Sequence, residues 1–395
     1  MQKKKRSNDY PPVKGARIIA FIQSITLPSF VSTLFLFTLI SCTKNEEVHQ
    51  TQLFVFGTLV DISISKTSPI EAEKAFAAIN LMFRGMHNDW HAWKPGKLVD
   101  LNKAINNGTC FDDAEISQLL QEALILENKS QHLFNPAIGK ILNLWGFHTD
   151  TYPITEPPPT QQQITHYTNT QPSLNNLSFN GPTICSNNPD VAIDLGGFAK
   201  GIAVDRAMSL LKSMNINHAI VNAGGDLMTI GEHSNRPWNI AIRKPGTDQI
   251  IGAIKAQNNE AIFTSGTYAR FLEFNGKRYP HIIDPRTGQS TGTTISATVI
   301  ADSGGLADAA ATALIVAGLD EWKIVAKGLN LDKVMLIDGN STVYMTQAMR
   351  KRVTMRYQTQ IIDLSLIPSL KGTRVTRDST PTPWASFSVR GQAKN

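Results

Sequence analysis

The chain has 395 residues, of which 18% are charged and 42% hydrophobic, a composition typical of a folded globular protein with one large domain or two. The formal net charge is +6, and many of the basic residues lie near the ends, within 3–6 and 351–377. No basic stripe interleaved with aromatic residues runs through the middle of the sequence, so a nucleic-acid partner is not expected.

The first 42 residues are typical of a bacterial lipoprotein signal. A basic stretch ends at Arg17, an apolar stretch runs from about Ile18 to Ile40, and the sequence ending in Cys42 resembles a lipobox, in which the cysteine is lipidated. A transmembrane anchor is the alternative, because the apolar stretch is nearly long enough to span a bilayer. Either way we expect the folded part on the periplasmic side of the cell membrane, with the inner membrane as the expected anchor site.

Two cysteines remain if Cys42 carries lipid. Cys110 and Cys185 could form one disulfide in an oxidising compartment, although their spacing matches no known framework. The pairing therefore stays open at the level of the sequence.

The first half of the body, 43–350, begins with clear local signals. Leu53–Ser65 alternates between apolar and polar residues, which predicts one strand. Ser68-Pro69-Ile70-Glu71 is a capping box with proline at the first helical position, and Asp112 or Asp113 opens a second predicted helix. Residues 154–189 are rich in Pro, Gln, Asn and Thr, which predicts a loop with short strands at most.

The second half consists of short strands separated by turn signals. The predicted strands and hairpins are His218–Asn222, Trp238–Arg243, Ile250–Ala256, a hairpin at Asn275-Gly276, Thr294–Ala301 and a hairpin in 333–346. A helix is predicted over Leu306–Ala317 and stops at Gly318, and 351–395 reads as a basic, poorly ordered tail. Strands and helices do not alternate steadily, which predicts an α+β fold with a mixed sheet and packed helices.

A glycine turn lies near the centre of the chain. The apolar run Val191–Leu195 predicts a strand, Gly196-Gly197 a tight turn, and the periodic residues that follow a helix. Backbone groups at such a turn can approach a phosphate closely, and a helix N-terminus favours negative charge. Lys200 and a backbone carbonyl near Gly197 would lie beside that charge. The alternative is a packing turn with an exposed lysine.

Asp308 and Thr312 lie four residues apart on the predicted helix, so their oxygens share one helix face. Carboxylate and hydroxyl oxygens, together with a backbone carbonyl, suit Mg²⁺. The alternative is an aspartate that complements the helix dipole and a threonine that bonds back to a carbonyl.

His281 belongs to the polar cluster Tyr279–Gly288, at a predicted strand end and turn. A histidine near its ordinary pKa could accept a proton from an attacking hydroxyl. The cluster is equally compatible with a turn that contains a structural histidine.

Together these motifs resemble the ApbE family of FAD:protein FMN transferases, over about Phe54–Thr346. The resemblance implies an α+β, ApbE-like (T-fold-like) body. The matching segments, in chain order, are Phe56-Gly-Thr58, Asn143-Leu-Trp-Gly-Phe147, Asp194-Leu-Gly-Gly-Phe-Ala-Lys-Gly-Ile-Ala-Val-Asp205, Ala223-Gly-Gly-Asp226, Ser265-Gly-Thr-Tyr268, His281-Ile-Ile-Asp-Pro-Arg-Thr-Gly288 and Ala307-Asp-Ala-Ala-Ala-Thr312.

The resemblance implies Mg²⁺-dependent transfer of FMN from FAD to a Thr or Ser hydroxyl of a target protein, with release of AMP. It implies that Gly197, Asp308 and Thr312 hold Mg²⁺ and that His281 is the base. The residues implied to contact FAD are Phe56, Trp93, Leu133, Phe134, Asn135, Asp194, Lys200 and Ile283. The expected partners are FAD, the membrane through a lipid anchor, and an acceptor such as a membrane redox-complex subunit, docking over His281.

The sequence departs from the family pattern at several FAD contacts. Phe56 replaces a frequent Met, Trp93 a usual Tyr and Asn135 a common Asp, whereas the metal set is intact. Within the fold, a Mg²⁺-dependent FAD pyrophosphatase that yields FMN and AMP is the nearest alternative. A flavin-binding lipoprotein that stores or delivers FAD is another, and a flavinylated electron carrier is disfavoured because no acceptor motif is present.

Overall fold

The computed structural model describes residues 48–356 and 361–363, all within the unit Glu46–Asn395. The strands follow in chain order. They are β1 (Val48–Val55), β2 (Thr58–Ser65), β3 (Phe111–Asp112), β4 (Leu177–Asn180), β5 (Thr183–Ser186), β6 (Ala219–Ala223), β7 (Asp226–Ile230), β8 (Asn239–Arg243), β9 (Ile250–Lys255), β10 (Glu260–Gly266), β11 (Phe271–Phe274), β12 (Lys277–Pro280), β13 (Thr294–Ala301), β14 (Val334–Asp338), β15 (Val343–Met345), β16 (Val353–Met355) and β17 (Ile361–Asp363).

The helices pack against these strands, so the described residues form a mixed α+β fold, as predicted. They are α1 (Pro69–Asp89), α2 (Lys97–Asn106), α3 (Ala114–Lys129), α4 (Gly139–Leu144), α5 (Gln161–Thr170), α6 (Ala199–Ser213), α7 (Gly304–Gly328) and α8 (Gln347–Arg350).

The main sheet has nine strands in the order β1-β2-β6-β7-β10-β13-β14-β15-β17. Neighbouring strands are antiparallel except β15 and β17, which run parallel. Three smaller sheets, β11-β12, β16-β9-β8 and β3-β5-β4, lie beside it. Helices α1, α6 and α7 contribute most of their buried residues to the largest hydrophobic core, which they share with the main sheet.

The predicted strand Leu53–Ser65 is a hairpin. It turns at Phe56-Gly57, where both residues have positive φ, 55° and 69°, and Leu53 pairs with Val60. The alternation of apolar residues continues across the two-residue turn, so the sequence pattern conceals it. Phe54 is 73% exposed, whereas Val60, Ile62 and Ile64 are buried.

Several local signals are confirmed. The Ser68/Glu71 capping box opens α1, and Asp113 caps α3 by accepting a hydrogen bond from Ile116 N. The hairpins at Asn275-Gly276 and in 333–346 form as predicted. Gly318 breaks the helical geometry at φ 61° and ψ −166°, and a second helical segment continues to Gly328.

The prediction of a loop with short strands at most in 154–189 is confirmed for the short strands and wrong for the helix that the segment also contains. This segment contains α5, β4 and β5, and α5 begins with a capping box formed by Thr160 and Gln163. That signal is present in the sequence, but the surrounding Pro, Gln and Asn residues outweigh it in a reading based on composition. Helix α2, which begins after Gly96 without a side-chain cap, has no such signal.

Val191–Leu195, which the sequence predicts to be a strand, is not part of a strand ladder. Its regular pairing is limited to a bridge between Ala192 and Ile138. The backbone N–H groups of Ala192 and Asp194 donate to the carbonyls of Ala137 and Pro136 at 3.1 and 2.8 Å. The side chains of Val191, Ile193 and Leu195 are buried. A buried segment has the same apolar sequence pattern as a strand even when its backbone is not paired, which explains the incorrect prediction.

Helices α6 and α7 cross at a pair of glycines. A Cβ atom on Gly201 would lie 2.2 Å from the carbonyl oxygen of Gly304, so glycine is needed for this approach. Nearby, the Asp205 carboxylate accepts hydrogen bonds from Gly304 N and Gly305 N at 2.7 and 2.9 Å. The crossing brings the start of α6 against the first turns of α7.

The boundary predicted at residue 350 lies too early. Val353–Met355 pairs with β9, and Ile361–Asp363 pairs with β15. The lipoprotein signal predicted for 1–42, with Cys42, and the tail after 363 lie outside the described residues. Within the described ranges, no helix combines the length and apolarity that a membrane crossing requires.

Cys110 and Cys185 form a disulfide with their Cα atoms 4.4 Å apart. The bond lies beside the small sheet in which Phe111 pairs with Ile184. The structure therefore answers the question that the sequence left open.

Candidate functional site

The glycine turn is shaped by Asp194. One carboxylate oxygen of Asp194 accepts a hydrogen bond from Gly196 N at 2.7 Å, and Phe198 N donates to Leu195 O at 2.9 Å. Helix α6 then begins at Ala199, without a side-chain cap at Phe198. Lys200 therefore lies in the first helical turn, beside a helix N-terminus of the kind that attracts anions.

Lys200 joins two buried carboxylates. Its Nζ lies 3.0 Å from Asp226 Oδ2 and 3.2 Å from Asp308 Oδ1, and Gly201 N donates to the other oxygen of Asp308 at 3.0 Å. Burial alone would lower the pKa of Lys200, but the charges of Asp226 and Asp308 raise it above its usual range. Burial raises the pKa of Asp308, which is 2% exposed. When ionised, these three groups together carry one net negative charge.

Thr312 lies close to the glycine turn. A Cβ atom on Gly197 would lie 2.9 Å from the Thr312 hydroxyl oxygen, so a larger residue would push that hydroxyl away. The same hydroxyl is 3.3 Å from Ser265 Oγ at the end of β10. The structure thus brings together the three predicted metal ligands: Gly197 from the turn that precedes α6, and Asp308 and Thr312 from α7.

The chemistry of this oxygen set fits Mg²⁺. The carboxylate of Asp308 and the hydroxyl of Thr312 are hard donors on one face of α7, and Gly197 brings its backbone against that face. The negative charge of the buried Lys200–Asp226–Asp308 group is an electrostatic reason for a divalent cation to bind there. Within residues 48–356 and 361–363, no three His, Cys, Asp or Glu side chains are grouped so that they could hold a metal ion. The oxygen set described above therefore depends on a hydroxyl and a carbonyl oxygen beside one carboxylate.

His281 follows β12 and faces the same charged region. Its Nδ1 lies 3.2 Å from the carbonyl oxygen of Arg270. A carbonyl only accepts, so Nδ1 donates and Nε2 of the neutral ring carries the lone pair. Burial, and then the positive charge of Arg270, lowers the pKa of His281 well below its usual range. The imidazole is therefore neutral at neutral pH, with Nε2 able to accept a proton.

A series of ring contacts connects Phe56 and Trp93 to Asp194 through His148. Phe56 contacts Phe83 and His87 edge-on, with ring centroids 5.5 and 6.0 Å apart. Trp93 stacks on His148 at 5.1 Å with an angle of 17° between the rings. His148 Nε2 in turn lies 3.0 Å from Asp194 Oδ2.

The model of the ApbE family matches residues 56–335, which include every motif of this site from Phe56 to Thr312. The chain belongs to the ApbE family. An FAD:protein FMN transferase of Rhodobacter capsulatus is 39% identical over 301 residues, covering 76% of this chain and 57% of the relative. This chain thus spans less than two thirds of that relative. A second FAD:protein FMN transferase, from Haemophilus influenzae, is 29% identical over 80% of this chain and 94% of its own length.

Solved ApbE structures have the same fold. The ApbE protein of Thermotoga maritima superimposes with a TM-score of 0.71 at 28% identity, covering 78% of this chain and 99% of that one. The flavin transferase ApbE of Vibrio cholerae gives a TM-score of 0.68 at 24% identity. The predicted ApbE-like α+β class is therefore confirmed.

Some of the FAD contacts implied by the ApbE resemblance have buried side chains. Leu133 and Phe134 lie in the largest core, and Ile283 lies in a separate core with Trp145. Their side chains therefore contribute to the packing of these cores. The Asn135 side chain is engaged within the protein, since Nδ2 donates to Pro172 O and Oδ1 accepts from Ala137 N, both at 2.8 Å.

Sequence reasoning missed two members of the site. Asp226 lies inside a matched motif, Ala223-Gly-Gly-Asp226, and its acidic side chain beside two glycines was a usable signal. His148 follows the segment that ends at Phe147, and nothing in its spacing connects it with Trp93 or Asp194. Their contact exists only in the folded chain.

Proposed function

We propose that this chain transfers the FMN part of FAD to a Thr or Ser hydroxyl of a target protein, in a Mg²⁺-dependent reaction that releases AMP. The acceptor oxygen forms a bond to the FMN phosphorus, and the bond from that phosphorus to the oxygen bridging it to AMP breaks. The hydroxyl proton passes to a base, and the leaving AMP carries the bridging oxygen. An acceptor subunit of a membrane redox complex is the partner that we expect.

One observation carries this proposal: two crossing helices bring the glycine turn, Lys200 and Thr312 together around the buried carboxylate of Asp308. Phosphoryl transfer depends mainly on positioning and on neutralising negative charge. Lys200, in the first turn of α6, supplies a positive charge that Asp226 and Asp308 hold in place, and a divalent cation at Asp308 would outweigh the negative charge of the two carboxylates. This combination suits a pyrophosphate better than it suits an uncharged ligand.

The Asp308 carboxylate, the Thr312 hydroxyl and the Gly197 carbonyl would hold Mg²⁺. When bound, the ion supplies positive charge that stabilises the developing negative charge on the phosphate oxygens. Asp226 keeps Lys200 beside this group through its 3.0 Å ion pair.

His281 is the base in this proposal. Its neutral imidazole presents the Nε2 lone pair, because Nδ1 is committed to the carbonyl of Arg270. Its low pKa makes it a weak base in the free protein. The phosphates of FAD would add negative charge nearby and raise that pKa toward the range in which proton transfer is efficient.

The flavin ring would lie near Phe56 and Trp93. Both are aromatic, both lie on the Asp194 side of the site, and an aromatic ring stacks on a flat heterocycle such as isoalloxazine. Trp93 in place of a usual Tyr enlarges the available stacking surface.

The protein would work on the periplasmic side of the membrane, anchored by a lipid on Cys42. The Cys110–Cys185 disulfide supports an oxidising compartment. Lipid labelling of cells that express the wild-type chain or Cys42→Ala tests this placement. Label that is lost with the substitution, together with release from the membrane fraction, is the expected result; equal labelling of both would refute it.

The decisive experiment incubates the purified chain with FAD, Mg²⁺ and an acceptor domain that carries a Thr at its flavinylation site. In-gel flavin fluorescence and free AMP are measured together. A fluorescent acceptor band with an equal amount of AMP is expected, and an acceptor whose Thr is replaced by Ala should give neither. AMP and free FMN without a band would assign an FAD pyrophosphatase instead, and no cleavage of tightly held FAD would assign a carrier.

A further inference from the structure

His148 holds two parts of the site that are far apart in the sequence. Trp93 lies between α1 and α2, His148 follows α4, and Asp194 precedes α6. The His148 ring stacks on Trp93 and bonds to Asp194, and its side chain is 11% exposed. One imidazole therefore connects the aromatic side of the site to the glycine turn.

The two contacts use different properties of the ring. A carboxylate only accepts, so Nε2 of His148 donates to Asp194 Oδ2 at 3.0 Å. The face of the ring lies against the indole of Trp93. The other Asp194 oxygen accepts from Gly196 N, so the carboxylate is held on both sides and the turn is held with it.

We propose that His148 is a positioning residue of the flavin site, which fixes the plane of the Trp93 indole relative to the Asp194 carboxylate and the glycine turn. This inference rests on the proposed function, because it assumes that FAD binds with its flavin near Trp93 and its pyrophosphate near the turn. Rings and phosphates that are joined in one ligand require both halves of the site to be held at a fixed separation. His148 supplies that connection.

Two substitutions separate its contacts. His148→Gln retains an N–H donor near the position of Nε2 but loses the ring face, whereas His148→Phe retains a ring and loses the donor. His166→Gln is a matched control, because His166 pairs with a different aspartate, Asp190. FAD affinity is measured by titration of flavin fluorescence, which does not require turnover.

We expect His148→Gln to weaken FAD binding about 2- to 10-fold, the range for one lost aromatic contact. His148→Phe should weaken it about 10-fold, because a hydrogen bond to a charged group is lost. In a Trp93→Ala background, His148→Gln should cause no further loss, since the stacking contact is already absent. His166→Gln should bind FAD as the wild type does.

The outcomes distinguish this inference from the proposed function. If the wild type binds FAD and both His148 variants bind it equally well, His148 is not a positioning residue and the proposed function stands. A loss in His148→Gln that persists unchanged in the Trp93→Ala background would also overturn the inference. If the wild type itself does not bind FAD, the proposed function fails and this inference fails with it.

Discussion

At the scale of single residues, the Asp308 carboxylate is where burial and charge compete most directly. It lies against Lys200 and Gly201 N, and its removal would leave Lys200 with Asp226 as its remaining carboxylate in this group. Asp308→Asn preserves the shape of the side chain but loses the charge. We expect Mg²⁺-dependent release of AMP to fall about 100- to 1,000-fold, because phosphoryl transfer loses metal and electrostatic stabilisation.

The measurement is AMP release across a Mg²⁺ titration. Asp302→Asn is the control, since Asp302 is an exposed carboxylate two residues before the first turns of α7. It should leave both the rate and the Mg²⁺ dependence unchanged. FAD cleavage that survives in Asp308→Asn would show that the metal assignment is wrong.

His281 gives a second prediction at this scale. In His281→Asn, the amide N–H can still donate to the carbonyl of Arg270, as Nδ1 does at 3.2 Å, but the basic Nε2 is gone. We expect flavin transfer to fall about 100- to 10,000-fold, the range for a lost general base. FAD affinity, measured by fluorescence titration, should change little. Transfer at the wild-type rate would remove His281 from the mechanism.

The sequence predicts single residues best where helix geometry alone places them. Asp308 and Thr312 meet on one face because they are four residues apart, and the α7 helix was predicted correctly around them. His148 and Asp226 acquire their roles from contacts between distant segments, at sequence separations of 46 and 26 from Asp194 and Lys200 respectively. Local periodicity contains no information about such contacts.

At the scale of secondary structure, Asp205 on α6 holds the start of α7. Its carboxylate accepts from Ser303 Oγ, Gly304 N and Gly305 N at 2.9, 2.7 and 2.9 Å. Asp205→Ala would leave these donors without that acceptor. We expect a loss of about 1–3 kcal/mol in the free energy of unfolding, typical of a lost cap or a lost charged hydrogen bond.

Urea unfolding followed by circular dichroism measures this loss. Asp320→Ala is the control, because Asp320 is an exposed residue later on α7 and its loss should cost little. Because α7 carries Asp308 and Thr312, Asp205→Ala should also weaken the binding of Mg²⁺. Unfolding at the same urea concentration as the wild type would refute the capping role.

The errors at this scale have a common physical cause. Val191–Leu195 is buried without ladder partners, whereas α5 is a capped helix in a segment whose composition is polar. In both cases an interaction that composition does not describe decides the structure: burial for Val191–Leu195 and the Thr160/Gln163 capping box for α5. The hairpin at Phe56-Gly57 adds a third case, since apolar alternation continues through a tight turn.

At the scale of the whole molecule, the Cys110–Cys185 disulfide closes a loop across a separation of 75 residues. Such a cross-link restricts the unfolded chain, and its removal typically costs about 2–4 kcal/mol. We expect a reductant to lower the Tm of the wild type but not that of a Cys110→Ser/Cys185→Ser variant, which should start from the lower value. Equal Tm values for the wild type and the variant without reductant would contradict a stabilising bond.

The order of the motifs predicted the whole fold more securely than any one element did. Family motifs from Phe56 to Thr312 fixed the class, and the match over 56–335 agrees with that extent. The far edge of the fold was missed, because the basic composition after Met349 resembles a disordered tail. Among the described residues of this stretch, Val353–Met355 pairs with β9, and Arg352 binds Glu260 across a separation of 92 residues.

Glu260 is the carboxylate partner of Arg352. The Arg352 guanidinium bonds both of its carboxylate oxygens, with Nη2 2.8 Å from Oε2, and also donates to Lys255 O at 2.9 Å. Both side chains are largely buried, and Arg352 holds the pKa of Glu260 below its usual range despite burial. Val353 then packs into the second hydrophobic core. Arg352 and Val353–Met355 therefore belong to the folded body.

We expect Arg352→Ala to reduce the free energy of unfolding by about 1–3 kcal/mol, because Glu260 is left partly buried without its partner. A chain that ends at residue 350 should lose more, since β16 is also removed, whereas one that ends at residue 363 should keep Arg352, β16 and β17. Lys351→Ala is the matched control, because Lys351 is a neighbouring exposed cation. Thermal unfolding of the four chains decides the matter: if the chain ending at 350 melts with the one ending at 363, the strand pairing beyond 350 contributes nothing to stability. If it melts lower, the basic stretch after Met349 is part of the folded body and its positive charge is partly structural.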